Sequence, residues 1–230
     1  MKFKDRADAG SKLAEVLKKL NPSDAVILSI PRGGVVVGAE VSDALGVPLD
    51  IIVPRKIGAP INPEMAVGAV AQDGSTFIDD RMISLLGISE DVLEDIIDSE
   101  VREISRRMTD YRGSDRYPDF KNNTLVIVDD GAATGYTMLA AARFTRRTLR
   151  PAGIIIAVPV APPDTLELFR QEADEVVCLS SPDEFYAVGQ FYSDFSQTTD
   201  REVLSILEKY KPKNMTGQPP PGKNSSPASE

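Results

Sequence analysis

Apolar residues recur along this chain in two alternating rhythms. Over residues 8–20, Leu13, Val16, Leu17 and Leu20 fall at helical spacing, and the Asn-Pro pair at 21–22 marks where that helix should stop. The run AVILSI at 25–30 is short and uniformly apolar, which predicts a buried strand. PRGG at 31–34 then predicts a loop, 35–45 a helix closed by Gly46, and LDIIVP at 49–54 a second strand. The following stretch, 54–71, is so rich in Gly and Pro that it predicts a loop, with Gly58 and Gly68 as candidate hinges. Residues 89–111 predict a long helix with Ser89 at its N-cap and Ile97, Val101, Ile104 and Met108 on one face. Its first half is acidic and its second half basic, matching the helix dipole. TLVIV (124–128), GIIIAV (153–158) and EVVCL (175–179) predict three more strands, with helices near 136–149, 164–173 and 199–210.

Strands bounded by helices, and apolar without alternation, predict an α/β fold: a five-stranded, mainly parallel sheet flanked by helices. Ligands of such sheets bind beyond the carboxyl ends of the strands, which directs attention to 31–34, 54–71 and 129–136. One domain over 1–210 is expected, followed by a tail from Lys211 that has almost no large apolar residues and is expected to be disordered. There is no internal repeat.

Composition narrows the chemistry. A net charge of −9 argues against broad electrostatic binding to nucleic acid or to an anionic membrane. The apolar runs are about half of a membrane span, and MKFKDRADAG has no apolar signal region, so a cytoplasmic location is expected. The single cysteine, Cys178, excludes an intramolecular disulfide and suits a reducing compartment. With no histidine at all, Ser-His-Asp and Cys-His triads and His-containing zinc sites are excluded. Any metal would sit mainly on oxygen ligands, which favours Mg²⁺ or Mn²⁺. No Walker motif or complete dinucleotide fingerprint occurs. The arginines at 143, 146, 147 and 150 read as a cationic face at a helix C-terminus.

The segment LVIVDDGAATGYTM (125–138) carries the most chemistry. Gly131, Ala132, Ala133, Thr134 and Gly135 lie between a strand end and a helix start, where free N–H groups and the helix dipole cradle phosphate. Thr134 and Thr137 can add hydroxyl hydrogen bonds. Asp129 and Asp130, at the strand tip, can accept hydrogen bonds from two neighbouring sugar hydroxyls. A plain helix N-terminus with capping acids is the structural alternative.

Four apolar residues, two acids, three small residues, Thr-Gly, any residue and Thr resemble the phosphoribosyl-pyrophosphate (PRPP) signature of type I phosphoribosyltransferases. The resemblance spans roughly 23–195 and is closest to uncharacterised proteins with Pro-Arg-Gly-Gly and Arg-Lys-Ile-Gly-Ala-Pro segments. It implies that Asp129 and Asp130 contact the ribose hydroxyls and support Mg²⁺, while the loop from Gly131 through Tyr136 to Thr137 binds the 5-phosphate. SIPRGGVVVG (29–38) resembles the family's pyrophosphate loop, with Arg32 neutralising the leaving group and Gly33 and Gly34 allowing close backbone approach. The segment 54–70 stands where the family has its mobile catalytic loop, which implies that Arg55 and Lys56 reach the pyrophosphate. SPDEFYAVGQFYSDF (181–195) stands where purine-salvage members hold the base, which implies stacking on Phe185 or Tyr186, with Asp194 near the metal or base.

A small hood built from the N-terminus and 180–198 is implied as well, and a homodimer is common among relatives. The implied reaction is Mg²⁺-dependent transfer of 5-phosphoribose from PRPP to a nucleobase or related nitrogen acceptor. A PRPP-binding regulator without turnover and a PRPP or phosphosugar hydrolase are the alternatives. Departures from the pattern leave the acceptor open. Ala133 stands where many purine-specific relatives carry Asp, and the Gly-Asp-rich C-terminal segment of uracil-specific relatives is missing.

Overall fold

The computed structural model describes residues 1–22 and 24–210; the tail expected to be disordered lies outside the described residues. Five strands form one sheet: β1 (Ala25–Ser29), β2 (Leu49–Ile51), β6 (Thr124–Val128), β7 (Gly153–Val160) and β8 (Glu175–Ser180). Their order is β2-β1-β6-β7-β8, and every neighbouring pair is parallel.

The apolar runs without alternation are explained by burial on both faces. Within β6, Val126 and Val128 join one core and Leu125 and Ile127 the other, because successive side chains point to opposite sides. The first core is closed by Leu13 and Leu17 of α1 (Arg6–Leu20) and by Val35, Val37 and Val41 of α2 (Gly33–Leu45). The second is closed by Met138 and Leu139 of α5 (Tyr136–Phe144) and by Leu166 and Phe169 of α6 (Pro163–Glu172). Each fully buried aliphatic or aromatic side chain stabilises the fold by roughly 1.5–3 kcal/mol.

The stretch expected to be a loop is instead ordered strand. β3 (Arg55–Ala59), β4 (Asn62–Val70) and β5 (Thr76–Ile78) make a separate antiparallel sheet. Its glycines mark close packing: a Cβ on Gly58 would lie 2.5 Å from the Pro63 carbonyl oxygen, and one on Gly68 would lie 2.4 Å from that of Phe77. Neither has a positive φ. The pattern looked like a loop because Pro and Gly occupy the hairpin tip and a bulge, where strands tolerate them. The expected strand 49–54 accordingly ends at Ile51, and the chain passes into β3.

Two further differences concern helices. A short helix, α3 (Asp80–Leu86), was not anticipated; none of its residues is fully buried, though Met82, Ile83 and Leu86 pack half-buried against the first core. The helix expected over 136–149 changes to a π-type turn at Thr145–Leu149. The long helix, α4 (Glu90–Arg112), follows Ser89 as expected, though the Ser89 side chain makes no capping hydrogen bond. It buries Ile104, Met108 and Tyr111, with Ile97 and Val101 half-buried beside them. The last helix, α7 (Asp200–Tyr210), packs through Val203 and Leu207.

Candidate active site

The two motif loops leave adjacent strands at the same level. Ser29 of β1 is in register with Val128 of β6, and the Ile30 N–H donates to the Val128 carbonyl at 2.9 Å. A cis peptide joins Pro31 to Arg32, and Arg32 stands at the N-cap of α2 with Gly33 and Gly34 in its first turn. A Cβ on Gly33 would lie 2.0 Å from Asp130 Oδ2 and 2.6 Å from Arg6 Nε; one on Gly34 would lie 2.9 Å from the Asp129 Cα. Only glycine lets the PRGG loop lie against the acid pair.

Asp129 and Asp130 sit half-buried where β6 ends, and Asp129 Oδ1 accepts the Asp130 N–H at 2.8 Å. Loss of water, and for Asp129 the neighbouring Asp130 charge, push both carboxyls above their ordinary values; at Asp130 the Arg6 cation partly opposes this. Arg6 Nε lies 2.7 Å from Asp130 Oδ2, with side-chain exposures of 12% and 15%.

Sequence reasoning missed Arg6. It is the first residue of α1 and carries no local motif, and its partner lies 124 positions away. What brings it there is an N-terminal strap: Phe3 forms a parallel bridge with Tyr192, its N–H donates to Phe191, and its carbonyl accepts from Ser193. Phe3, Phe191 and Tyr192 are buried together, with Phe185, Val188 and Phe195 against them. Tyr192 Oη donates to the Asp130 carbonyl at 2.6 Å, which ties this layer to the acid pair.

The loop after the acids has the features of an anion cradle. Gly135, at the N-cap of α5, has φ of +72°, and a Cβ there would strike Phe169 and Thr165 at 2.6 Å. Ala133 and Thr134 are exposed, and the N–H groups of Ala133, Thr134 and Gly135 donate to no backbone carbonyl outside the helices and strands among the described residues. The first-turn N–H groups of α5, from Tyr136 and Thr137 onward, have no partner within the helix. Ala132 differs: it is buried, and its N–H is bonded to the Val160 carbonyl at 2.9 Å. The Tyr136 side chain points elsewhere, its hydroxyl 2.6 Å from Asp79 and its ring stacked on Phe77.

The remaining expected cations each meet an acid. Arg32 approaches Asp200 at 3.6 Å, and the Tyr111 hydroxyl donates to the same carboxylate at 2.5 Å. Arg55 pairs with Glu100 of α4 at 2.6 Å, whereas Lys56 pairs with Glu64 across the hairpin at 3.3 Å. As neighbours on one strand, Arg55 and Lys56 point to opposite faces. Phe185 packs on Phe191 with ring centroids 5.0 Å apart, while Tyr186 is 87% exposed. Asp194 is on the surface, bonded to the Ser196 N–H.

The sheet carries an acid pair and a small-residue loop side by side at its carboxyl edge. The chain belongs to the phosphoribosyl transferase domain family, whose model matches residues 4–196. Provisionally named phosphoribosyl transferases of Mycobacterium tuberculosis, from strains CDC 1551 and H37Rv, are each 41% identical over 208 residues. The match covers 90% of this chain and 46% of theirs, so the chain spans about half the length of these curated relatives. The crystal structure of TT1426 from Thermus thermophilus is 40% identical, covers 91% of this chain and 99% of its own, and superposes with a TM-score of 0.76. Among the described residues, no helix is long and apolar enough to cross a membrane.

Proposed function

We propose that this protein transfers 5-phosphoribose from PRPP to a nitrogen acceptor and releases pyrophosphate. The observation that carries the reading is the contact between the PRGG loop and the acid pair, close enough that a Cβ on either glycine would clash. In this reading, the loop assigned to pyrophosphate lies directly against the carboxylates assigned to the ribose diol.

In this reading Asp129 and Asp130 accept hydrogen bonds from the ribose 2- and 3-hydroxyls. Backbone N–H groups from Ala133 to Thr137, with the Thr134 and Thr137 hydroxyls, hold the 5-phosphate at the start of α5. Arg32 and the N-terminal turn of α2 face the pyrophosphate. As the C1–O bond breaks, its electron pair leaves with the pyrophosphate and positive charge develops on the ribose ring. The carboxylates favour that charge, and Arg32, joined by one of Arg55 and Lys56 from a single face of β3, stabilises the departing anion. The acceptor nitrogen attacks C1 from the opposite side and loses its proton to solvent. Phe185, Tyr186 and Asp194 lie in the segment assigned to the acceptor.

The donor set suits Mg²⁺ of one particular kind. Among the described residues no group of three or more acids, His or Cys could cage an ion, yet two half-buried carboxylates stand at the strand end. Mg²⁺ is often held by one or two carboxylates plus substrate phosphates, so Asp129 and Asp130 fit an ion shared with PRPP. Bound there, it would neutralise pyrophosphate charge.

The test is to incubate the protein with PRPP, Mg²⁺ and a panel of nucleobases and to measure pyrophosphate. Acceptor-dependent release supports transfer. Release without an acceptor points to a hydrolase, and PRPP binding without release to a sensor. Failure to bind PRPP removes the reading.

A further inference from the structure

Arg6 lies outside the motifs that define the site, yet it is among the more buried charged side chains there. Its Nε holds Asp130 Oδ2 at 2.7 Å, its Nη1 donates to the Ser196 carbonyl at 2.7 Å, and its guanidinium lies 3.9 Å from the centre of the Phe195 ring. Phe195 packs against Tyr192 with the rings tilted, and the Tyr192 hydroxyl donates to the Asp130 backbone carbonyl. The guanidinium is therefore fixed from three directions, against the carboxylate assigned to the ribose diol and the metal.

Two adjacent carboxylates with little water carry a charge of about −2 when ionised, a strong attractor for a divalent cation. Arg6 removes one unit of that charge and occupies Asp130 Oδ2. A divalent ion placed on the same oxygen would face a guanidinium at hydrogen-bond distance. Substrate phosphates, which bring negative charge and further oxygen ligands, lift that penalty.

We propose that Arg6 is a positioning residue that acts as an internal counter-cation, filling the divalent cation's place at Asp129 and Asp130 until the cation arrives with its phosphorylated substrate. The inference rests on the acid pair being the place where donor and metal meet, and it adds an order of events: the free protein binds a divalent cation weakly, and substrate and cation bind together. It also gives the strap carrying Phe3 and Arg6 a role, because Arg6 must turn away from Asp130 or share it as the cation enters.

The experiment titrates Mn²⁺ into the free protein, without PRPP, and follows the unbound ion by electron paramagnetic resonance. Arg6→Gln keeps much of the shape without the charge, and Arg6→Lys keeps the charge. Arg6→Gln is expected to bind one Mn²⁺ at least about tenfold more tightly than the wild type, the direction set by removing one positive charge. The gain should disappear when Asp129→Asn and Asp130→Asn are added, and Arg6→Lys should stay near the wild type. A purely structural staple between strap and sheet would lower thermal stability without creating Mn²⁺ affinity. Equal Mn²⁺ binding by wild type and Arg6→Gln overturns the proposal. Should Arg6→Gln not fold, Arg6→Met decides in the same titration: Mn²⁺ binding tighter than the wild type upholds the proposal, and equal binding overturns it. Failure to bind PRPP would count against the phosphoribosyl reading alone, because the variant comparison needs no PRPP.

Discussion

Replacing Gly34 by alanine tests the central contact of the site directly. The new Cβ would stand 2.9 Å from the Asp129 Cα, from Asp129 Oδ1 and from the Val128 carbonyl oxygen. Two of these are backbone atoms of β6 and its end, which no rotamer change can move aside. Overpacking of this kind costs about 1–3 kcal/mol, partly offset by the roughly 0.4–1 kcal/mol gained by restricting the unfolded chain. For a chain of 230 residues, each kcal/mol lowers Tm by about 2–4 °C, so a drop of up to about 10 °C is expected. Function should suffer more than stability, because moving the PRGG loop by even ~1 Å from the acid pair can cost about a hundredfold in rate.

Gly153→Ala is the matched control. It lies at the start of β7, where the nearest atom to a new Cβ is 3.7 Å away, so it should be neutral or slightly stabilising. Differential scanning calorimetry and PRPP-dependent pyrophosphate release would be measured on both. A Gly34→Ala protein as stable and as active as the Gly153→Ala protein would refute the claimed loop contact.

Three further outcomes follow from the same geometry. Burial raises the Asp129 carboxyl above its ordinary 3.8, so its contribution to stability falls as the pH rises through that value toward the higher native one. Asp129→Asn should therefore melt above the wild type at pH 7, with the difference vanishing near pH 3; a lower Tm at neutral pH would contradict the assignment. Glu103 behaves oppositely, since hydrogen bonds from Arg106 and Arg107 hold it down to about 2. Its contribution is present above about 4.5 and fades as the pH falls toward 2, so Glu103→Gln should flatten the acid limb of the stability profile; because the pair is near the surface, the effect is small and screened by salt. Because Arg55 and Lys56 point to opposite faces of β3, one of Arg55→Gln and Lys56→Gln, and not both, should lower kcat for pyrophosphate release by about a hundredfold, the size seen when a transition-state donor is removed. Unchanged kcat in steady-state assays of both variants would withdraw their leaving-group role.

The sheet and the loops at its carboxyl edge were legible because their signals are local. Each central strand is a short apolar run buried on both faces, and the acid pair, the small residues and the helix start fit within Asp129–Thr137. The PRGG glycines were equally plain, although what makes them necessary, the side chains of Asp130 and Arg6 for Gly33 and the Val128–Asp129 backbone for Gly34, appeared only with the fold. The second sheet was hidden because Gly58, Gly68, Pro60 and Pro63 look like breakers until a partner strand lies against them. Arg6 on Asp130, Asp200 beside Arg32 and Glu100 on Arg55 were out of reach for a different reason. Each joins residues dozens to more than a hundred positions apart, and a single sequence records the charge of each partner without recording the distance between them. Sequence alone thus determined the central sheet and the motif residues at its carboxyl edge. Tertiary structure decided which cation meets which acid, because that depends on distances that only packing of the strap, the hairpin and α7 against the sheet creates.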